Sequence, residues 1–281
     1  MKYTFFTVCL FLFLGQLPLT LRSQSTEIGF GPGISFYGGD VSGTAFEDYF
    51  DNLNVGGTAF VRTPLNRSLD WRFALSYLRL SGDDIQESRN RNLNFRNNLL
   101  ELSVNVDWNV FAFRTANGPL TFYLFAGGAV AYHNPKTFYE GTFVELQPLG
   151  TEGQGIQGQP ARYSKFIPTI PAGGGLKLPL GTQWALQGEF GGRITFTDYL
   201  DDVGTNTISY DELLAGNGPL AATLNNRNFE LIGGEPNSTL IDPDKPRGNA
   251  IKDYYYMGTV TLIYRFEGAP GSNRGARCPT F

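Results

Sequence analysis

Residues 99–110 read LLELSVNVDWNV. Leu100, Leu102, Val104, Val106, Trp108 and Val110 are apolar, and Glu101, Ser103, Asn105, Asp107 and Asn109 between them are polar. Two is the period of a β-strand, because successive side chains leave on opposite faces; a helix would scatter the same residues around its circumference. The stretch therefore predicts a strand with one greasy face and one wet face. A soluble barrel turns the greasy face into its core, whereas a membrane barrel turns it out to lipid. The alternation alone does not choose between them.

The rest of the chain does. Eight segments carry the pattern, at 27–36, 54–63, 71–80, 99–110, 121–132, 166–178, 183–196 and 254–266, with the second the least regular. The gaps between them run 17, 7, 18, 10, 33, 4 and 57 residues, long and short in strict alternation. A closed outer-membrane barrel has an even strand number, short periplasmic turns, long outer loops and both termini in the periplasm. Strands of about 12 residues span ~40 Å, which a ~45° tilt reduces to ~28 Å of height, close to a bilayer core. A soluble sheet is content with about 5–6 residues per strand.

If the first strand rises from the periplasm, Trp71, Trp108 and Trp184 all fall at the short-turn rim, with Phe111, Phe113, Phe122, Tyr264 and Phe266. Tyr77, Tyr132, Phe196 and Tyr254 fall at the opposite rim. Two aromatic belts suit the two interfaces of a membrane, since these side chains join an apolar body to a polar tip. The expected fold is all-β: an eight-stranded antiparallel up-and-down transmembrane β-barrel with long extracellular loops. Its apolar face meets lipid, and Glu101 and Asp107 point inward.

The N-terminus reads as an export signal. Lys2 precedes the apolar FFTVCLFLFLG (5–15), and QLPLTLRS leads to Ser23 as the cleavage site. The division is 1–23 signal peptide, 24–266 outer-membrane β-barrel and 267–281 C-terminal periplasmic tail. Removing 1–23 takes away Lys2, Arg22 and Cys9, which changes the net charge from −4 to −6 and leaves only Cys278. One cysteine forms no internal disulfide; pairing with a partner's cysteine in an oxidising periplasm is the open alternative. No apolar run after the signal is long enough for a membrane helix, and no basic concentration points to nucleic acid.

A barrel of eight strands is narrow and filled by its inward side chains. Parity places Glu101, Asp107 and Glu189 inside, with Lys177, Arg193 and Arg265 as counter-charges and Arg72 as a further candidate. Paired carboxylates can do acid–base work. Here mutual pairing in a low-dielectric lumen accounts for them, so the expectation is a charged plug and no open pore.

Catalytic signals are weak. GQGIQG (153–158) has the G-x-G-x-x-G form, but Gln159-Pro160 follows where a helix should begin, inside a Gly/Gln/Pro-rich loop. No P-loop or G-x-S-x-G motif occurs. His133 is the single histidine and ends a strand; one imidazole does not build the usual metal or triad site. SGDD (81–84) and TDYLDDV (197–203) cluster acids without EF-hand spacing and read as a solvated polar rim. LLAGNGPLAATLNN (213–226) is the place for a short helix in the longest loop. The chain is expected to have no catalytic, cofactor-binding or metal-binding residues, no cofactor and no enzymatic activity.

The loops carry a resemblance. SGDD (81–84), NRNLNFR (90–96) leading into LLEL (99–102), YLFAGGAVAYHNPK (123–136), VELQPLGTEGQG (144–155), TFTDYLDDV (195–203), GPLAATL (218–224) and the terminal CP (278–279) occur in order over nearly the whole mature chain. In these the chain resembles the outer-membrane barrel family that includes PorG, a component of the type IX secretion system. The resemblance implies an eight-stranded barrel in the outer membrane, joined to the periplasmic ring proteins of the secretion and gliding apparatus. The tail 267–281 would be the partner-facing segment. It transfers no catalytic residue. The alternatives are a structural or adhesion barrel whose loops bind external ligands, a loop-rim enzyme, and a soluble lipocalin-like carrier with the opposite sign of alternation.

Overall fold

The computed structural model describes residues 26–41, 52–84, 91–115, 118–238, 246–249 and 252–266. The segment 1–23 expected to be a signal peptide, the segment 267–281 expected to be a periplasmic tail, and Cys278 lie outside these residues. Among the described residues ten strands form: β1 Glu27–Gly38, β2 Asn54–Pro64, β3 Leu69–Asp83, β4 Asn94–Thr115, β5 Gly118–Tyr132, β6 Pro135–Tyr139, β7 Thr142–Glu145, β8 Phe166–Pro179, β9 Trp184–Thr195 and β10 Tyr254–Arg265. Three short helices follow β9 there: α1 Tyr210–Asn217, α2 Pro219–Asn225 and α3 Phe229–Ile232. No helix among the described residues is long and apolar enough to cross a membrane.

Eight of the strands close a barrel. Antiparallel pairing runs β3-β2-β1-β10-β9-β8-β5-β4, and β3 then pairs with β4 from Leu69↔Trp108 to Asp83↔Asn94, leaving no free edge. The expected eight-stranded antiparallel barrel is the observed fold. Among the described residues, the short connections 65–68 and 180–183 lie at one end and the long connection 146–165 at the other.

The alternation also has the expected sign. Phe30, Val55, Phe73, Leu102, Phe190 and Val260 all point away from the lumen and are half or more exposed, while Glu101, Asp107 and Gln187 are buried. β4 exceeds its expected span at both ends. Below, Val110 bulges between Asn109↔Tyr123 and Phe111↔Phe122. The extra residue shifts the parity, so that odd-numbered Phe111 and Phe113 join even-numbered Trp108 outside. Phe111 stacks on Phe122 at 4.9 Å, and Trp184 meets Tyr264 edge-on at 5.0 Å, which consolidates the short-turn belt. At the other end Tyr132 meets Phe166 at 5.3 Å.

Above the barrel β4 continues to Asn94 and recruits a hairpin that the sequence reading omitted. Arg96 pairs with Lys136 and Asn97 with Pro135, and β6 turns back into β7 through Glu140 and Gly141. Both turn residues have positive φ, 47° and 81°, the geometry of the tight hairpin turn whose twist matches the strands.

A charged lumen beneath a folded cap

The lower lumen is an ionic lattice around Arg62. Its Nε donates to Asp107 Oδ2 at 2.7 Å, and its two terminal nitrogens donate to Glu27 Oε2 at 3.1 Å and Gln187 Oε1 at 2.7 Å. Arg72 binds the other oxygen of Asp107 at 3.1 Å and also grips Glu189, which accepts from the Tyr123 hydroxyl at 2.6 Å. Glu27 further accepts from Lys177 at 3.0 Å and Arg265 at 2.8 Å. Phe60 and Phe125 carry the guanidinium groups on their faces, with Arg62 4.8 Å from Phe60 and Arg72 4.8 Å from Phe125. Glycine makes room for them. A Cβ on Gly29 would stand 2.3 Å from the Phe60 ring, and one on Gly191 2.6 Å from the Phe125 ring.

Higher in the lumen Arg193 lies 3.5 Å from Glu101, which accepts from the Tyr255 hydroxyl at 2.5 Å. Every interior residue that parity selected is therefore in the lumen, paired with an opposite charge or a phenol. Parity missed Glu27 and Arg62, although both sit at inward positions. The arrangement neutralises itself: Arg62, Arg72, Lys177, Arg193 and Arg265 face Glu27, Asp70, Glu101, Asp107 and Glu189. A buried charge persists only with such partners. The short-turn mouth holds a polar recess of about 420 Å³ lined by Glu27, Arg67, Asp70, Lys177 and Arg265 among others.

The other mouth is closed by an apolar layer. Leu200 and Val203, from the loop after β9, pack among Tyr37, Leu78, Leu80, Phe95, Leu99 and Ile167, and Leu200 is fully buried. This overturns the reading of SGDD and TDYLDDV as a solvated rim. Asp84 is buried and held by Arg91 at 2.8 Å. Asp201 and Asp202 are buried, because the loop folds back over the lumen and brings partners distant in sequence.

The Tyr37 hydroxyl lies 2.6 Å from Asp201 Oδ2 and 2.7 Å from Asp253 Oδ1. The hydroxyl donates toward both carboxyls, which crowd its single proton, and the phenol oxygen accepts from the Asp40 backbone N–H at 3.1 Å. Burial pushes Asp201 up to about 8 and Asp253 well above the ordinary aspartate range. Asp202 is raised to about 6 by burial, against the pull of Arg247, and accepts from Thr151 and from the Tyr163 hydroxyl at 2.6 Å.

Arg247 ties the cap together. It donates to Glu152 Oε1 at 3.0 Å, the Asn225 carbonyl at 3.0 Å, Thr151 Oγ1 at 2.9 Å and the Asp202 carbonyl at 2.6 Å. It thus joins the β7–β8 loop, α2 and the loop after β9. The helices make a small core of Ile208, Leu213, Ala221 and Ala222 against Leu149, Ile156 and Tyr210. The stretch 213–226, the expected place of a short helix, holds the end of α1 and the whole of α2, separated where Gly218 takes φ 87° ahead of Pro219.

GQGIQG is turn chemistry, as its loop context suggested. Gly153, Gly155 and Gly158 all take positive φ, no helix follows, and Ile156 packs on α1 at Gly216. His133 is buried: its Nε2–H donates to the Ser164 carbonyl at 2.9 Å and Nδ1 lies 3.4 Å from Asn97. Burial lowers its pKa to about 4, so it is neutral and structural at physiological pH. Among the described residues no group of three or more His, Cys, Asp or Glu is placed to hold a metal ion.

A family model described as a domain of unknown function (DUF6089) matches residues 3–234. No curated protein sequence matches the chain. Among solved structures it is similar to the attachment invasion locus protein Ail of Yersinia pestis, with a TM-score of 0.40 at 8% identity, covering 86% of this chain and 99% of that one. Neisserial surface protein A gives 0.39 at 8%, covering 86% and 97%, and a major outer membrane protein of Thermus thermophilus gives 0.39 at 12%, covering 86% and 99%. The barrel itself is defined by the strand pairing above.

Proposed function

This chain belongs to the DUF6089 family, and we propose that its barrel is an outer-membrane anchor that neither conducts nor catalyses. One observation carries the reading: a continuous apolar exterior encloses a lumen filled with paired charges and capped by Leu200 and Val203. Water does not tolerate such an exterior on a monomer, and a bilayer requires it. The segment 1–23 serves export, and the tail 267–281 faces the periplasm. The resemblance of the loop sequences supports the finer role, a component of the type IX secretion and gliding apparatus that links the outer membrane to periplasmic ring proteins.

The membrane reading is tested by nitroxide labels at Leu102 and Val104 in reconstituted protein. Relaxation by dissolved oxygen and protection from an aqueous nickel chelate are expected; the reverse refutes it. The secretion role is tested separately, by deleting the gene and by pull-down from solubilised outer membranes. Loss of cargo secretion and recovery of ring proteins are expected. Normal secretion removes that role and leaves the barrel standing.

The second reading is a structural or adhesion barrel whose loops bind external ligands. The ordered cap favours it, since Arg247 and the small helical core fix a surface that a mere connection does not need. Excising 210–232 would then abolish ligand binding while sparing the barrel.

A further inference from the structure

We infer that the outer rim at β3, β4 and β6 binds the phosphate groups of an outer-leaflet glycolipid through Arg79, Arg96 and Lys136. The inference rests on the membrane reading above. The outward positions of these strands change character in one step. Up to the row Tyr77↔Leu100↔Tyr132↔Phe166 they are apolar or aromatic. The next outward pair is Arg79↔Asn98, and the next joins Arg96 to Lys136. Basic side chains thus begin where the apolar band ends, at the long-loop end, the depth at which lipid phosphates lie.

The geometry favours a ligand over internal pairing. Arg79 Nε donates to Asn98 Oδ1 at 3.2 Å, which orients its guanidinium along the rim. Arg96 lies over the Phe143 ring at 4.3 Å. Among the described residues no carboxylate is within ion-pair distance of either guanidinium, in contrast to the paired arginines of the lumen. Glu145 is held by Lys136 at 3.0 Å and Lys165 at 3.5 Å, and Asp83 ends β3 on the same face. With Glu140 exposed at the hairpin turn, four cations meet three acids, so the described residues of the arc carry one net positive charge on a chain of net charge −4.

The basic arc is one-sided. Across the barrel the outer rim presents Phe36, Tyr254 and Tyr256, which pack on one another. Beyond the basic row the hairpin holds Phe138 and Phe143 outward, 5.2 Å apart and nearly half exposed, a platform for the C–H faces of sugar rings. Phosphates at the arginines and sugars on the phenylalanines describe one amphiphile, with its acyl chains against Leu100 and Leu102.

The test uses the full chain in phosphatidylcholine nanodiscs, with native mass spectrometry reading the binding of bis-phosphorylated lipid A and of its dephosphorylated form. Wild type is expected to prefer the phosphorylated lipid. The R79Q/R96Q double variant is expected to lose roughly twentyfold in affinity, since each basic residue at an anionic surface is worth about fivefold. E145Q, which releases Lys136 and Lys165, is expected to bind several-fold tighter, a gain that a purely structural role for these residues does not produce. Equal binding of the two lipids, unchanged binding by R79Q/R96Q, or full competition by millimolar inorganic phosphate would overturn the inference. Flotation with the lipid separates the two levels: a chain that does not insert sinks the membrane reading, whereas one that inserts without phosphate preference sinks only the rim site.

Discussion

Replacing Arg62 with methionine tests whether the lumen is held by its charges. Arg62 is 1% exposed and donates to two carboxylates and one amide. Methionine keeps the apolar stem and the contact with Phe60 but removes the positive charge. Glu27 retains Lys177 and Arg265, and Asp107 retains Arg72, so neither acid is wholly stranded. The lumen nevertheless gains one uncompensated negative charge. Removing one partner of a buried pair costs about 3–5 kcal/mol, and the surviving partners place R62M toward the lower end. The cost should fall when the lost charge is balanced. R62M/D107N is therefore expected to be more stable than the sum of the two single variants, by a coupling energy of about 1–3 kcal/mol. The assay is reversible denaturant unfolding in lipid vesicles, read by the fluorescence of Trp71, Trp108 and Trp184, which all sit at one rim. R62M within ~0.5 kcal/mol of wild type, or strictly additive single variants, would refute a lattice stabilised by mutual pairing.

Further outcomes concern the cap and the pore. Asp201 and Asp253 have raised folded-state pKa values, so the stability they contribute is complete below about pH 4 and is lost as pH rises. Protection factors of the amides in 197–209, corrected for the intrinsic pH dependence of exchange, should fall between about pH 4 and 8 and continue falling above it, and D253N should flatten that dependence. The groups that set the response are Tyr37, Asp40, Asp198 and Arg91, all against or beside the pair. R247L leaves the buried Glu152 without its cation and should loosen residues 150–160 and 200–227 by about 3 kcal/mol of local stability, with barrel amides unchanged. In planar bilayers the wild type should give no stable open conductance, and persistent ohmic channels would contradict the packed lumen and its Leu200 closure.

What could be read from the sequence was local and periodic. A two-residue repeat maps directly onto the two faces of a strand, so the eight barrel strands, the placement of the tryptophans and the inward acids of β4 followed without knowledge of any long-range contact. Where the repeat is blurred, the reading thinned. In β2 the run Ala59, Phe60, Val61 is apolar on both faces, because Phe60 turns inward to carry the arginines, and this concealed the inward Arg62. The β6–β7 hairpin had a usable sign in Glu140-Gly141, yet its four- and five-residue strands are too short for periodicity to separate from loop.

The cap lay beyond this kind of reading for a different reason. TDYLDDV has the composition of a solvated turn, and acids are exposed by default. Asp201 and Asp202 become interior only because Tyr37, Thr151, Tyr163 and Arg247, between 39 and 164 residues away in the case of the phenols, converge on them. No local pattern encodes that convergence. The outer rim illustrates the same limit from the exposed side. Arg79 and Arg96 are unremarkable in a list of charges, and become a pair of neighbours above an apolar band only once β3 and β4 are set in register and β6 adds Lys136 beside them. A strand pattern gives the face on which a charge lies; the register gives its company, and it is the company that distinguishes a cation neutralised inside the lumen from the outward Arg79 and Arg96, for which a lipid phosphate is proposed.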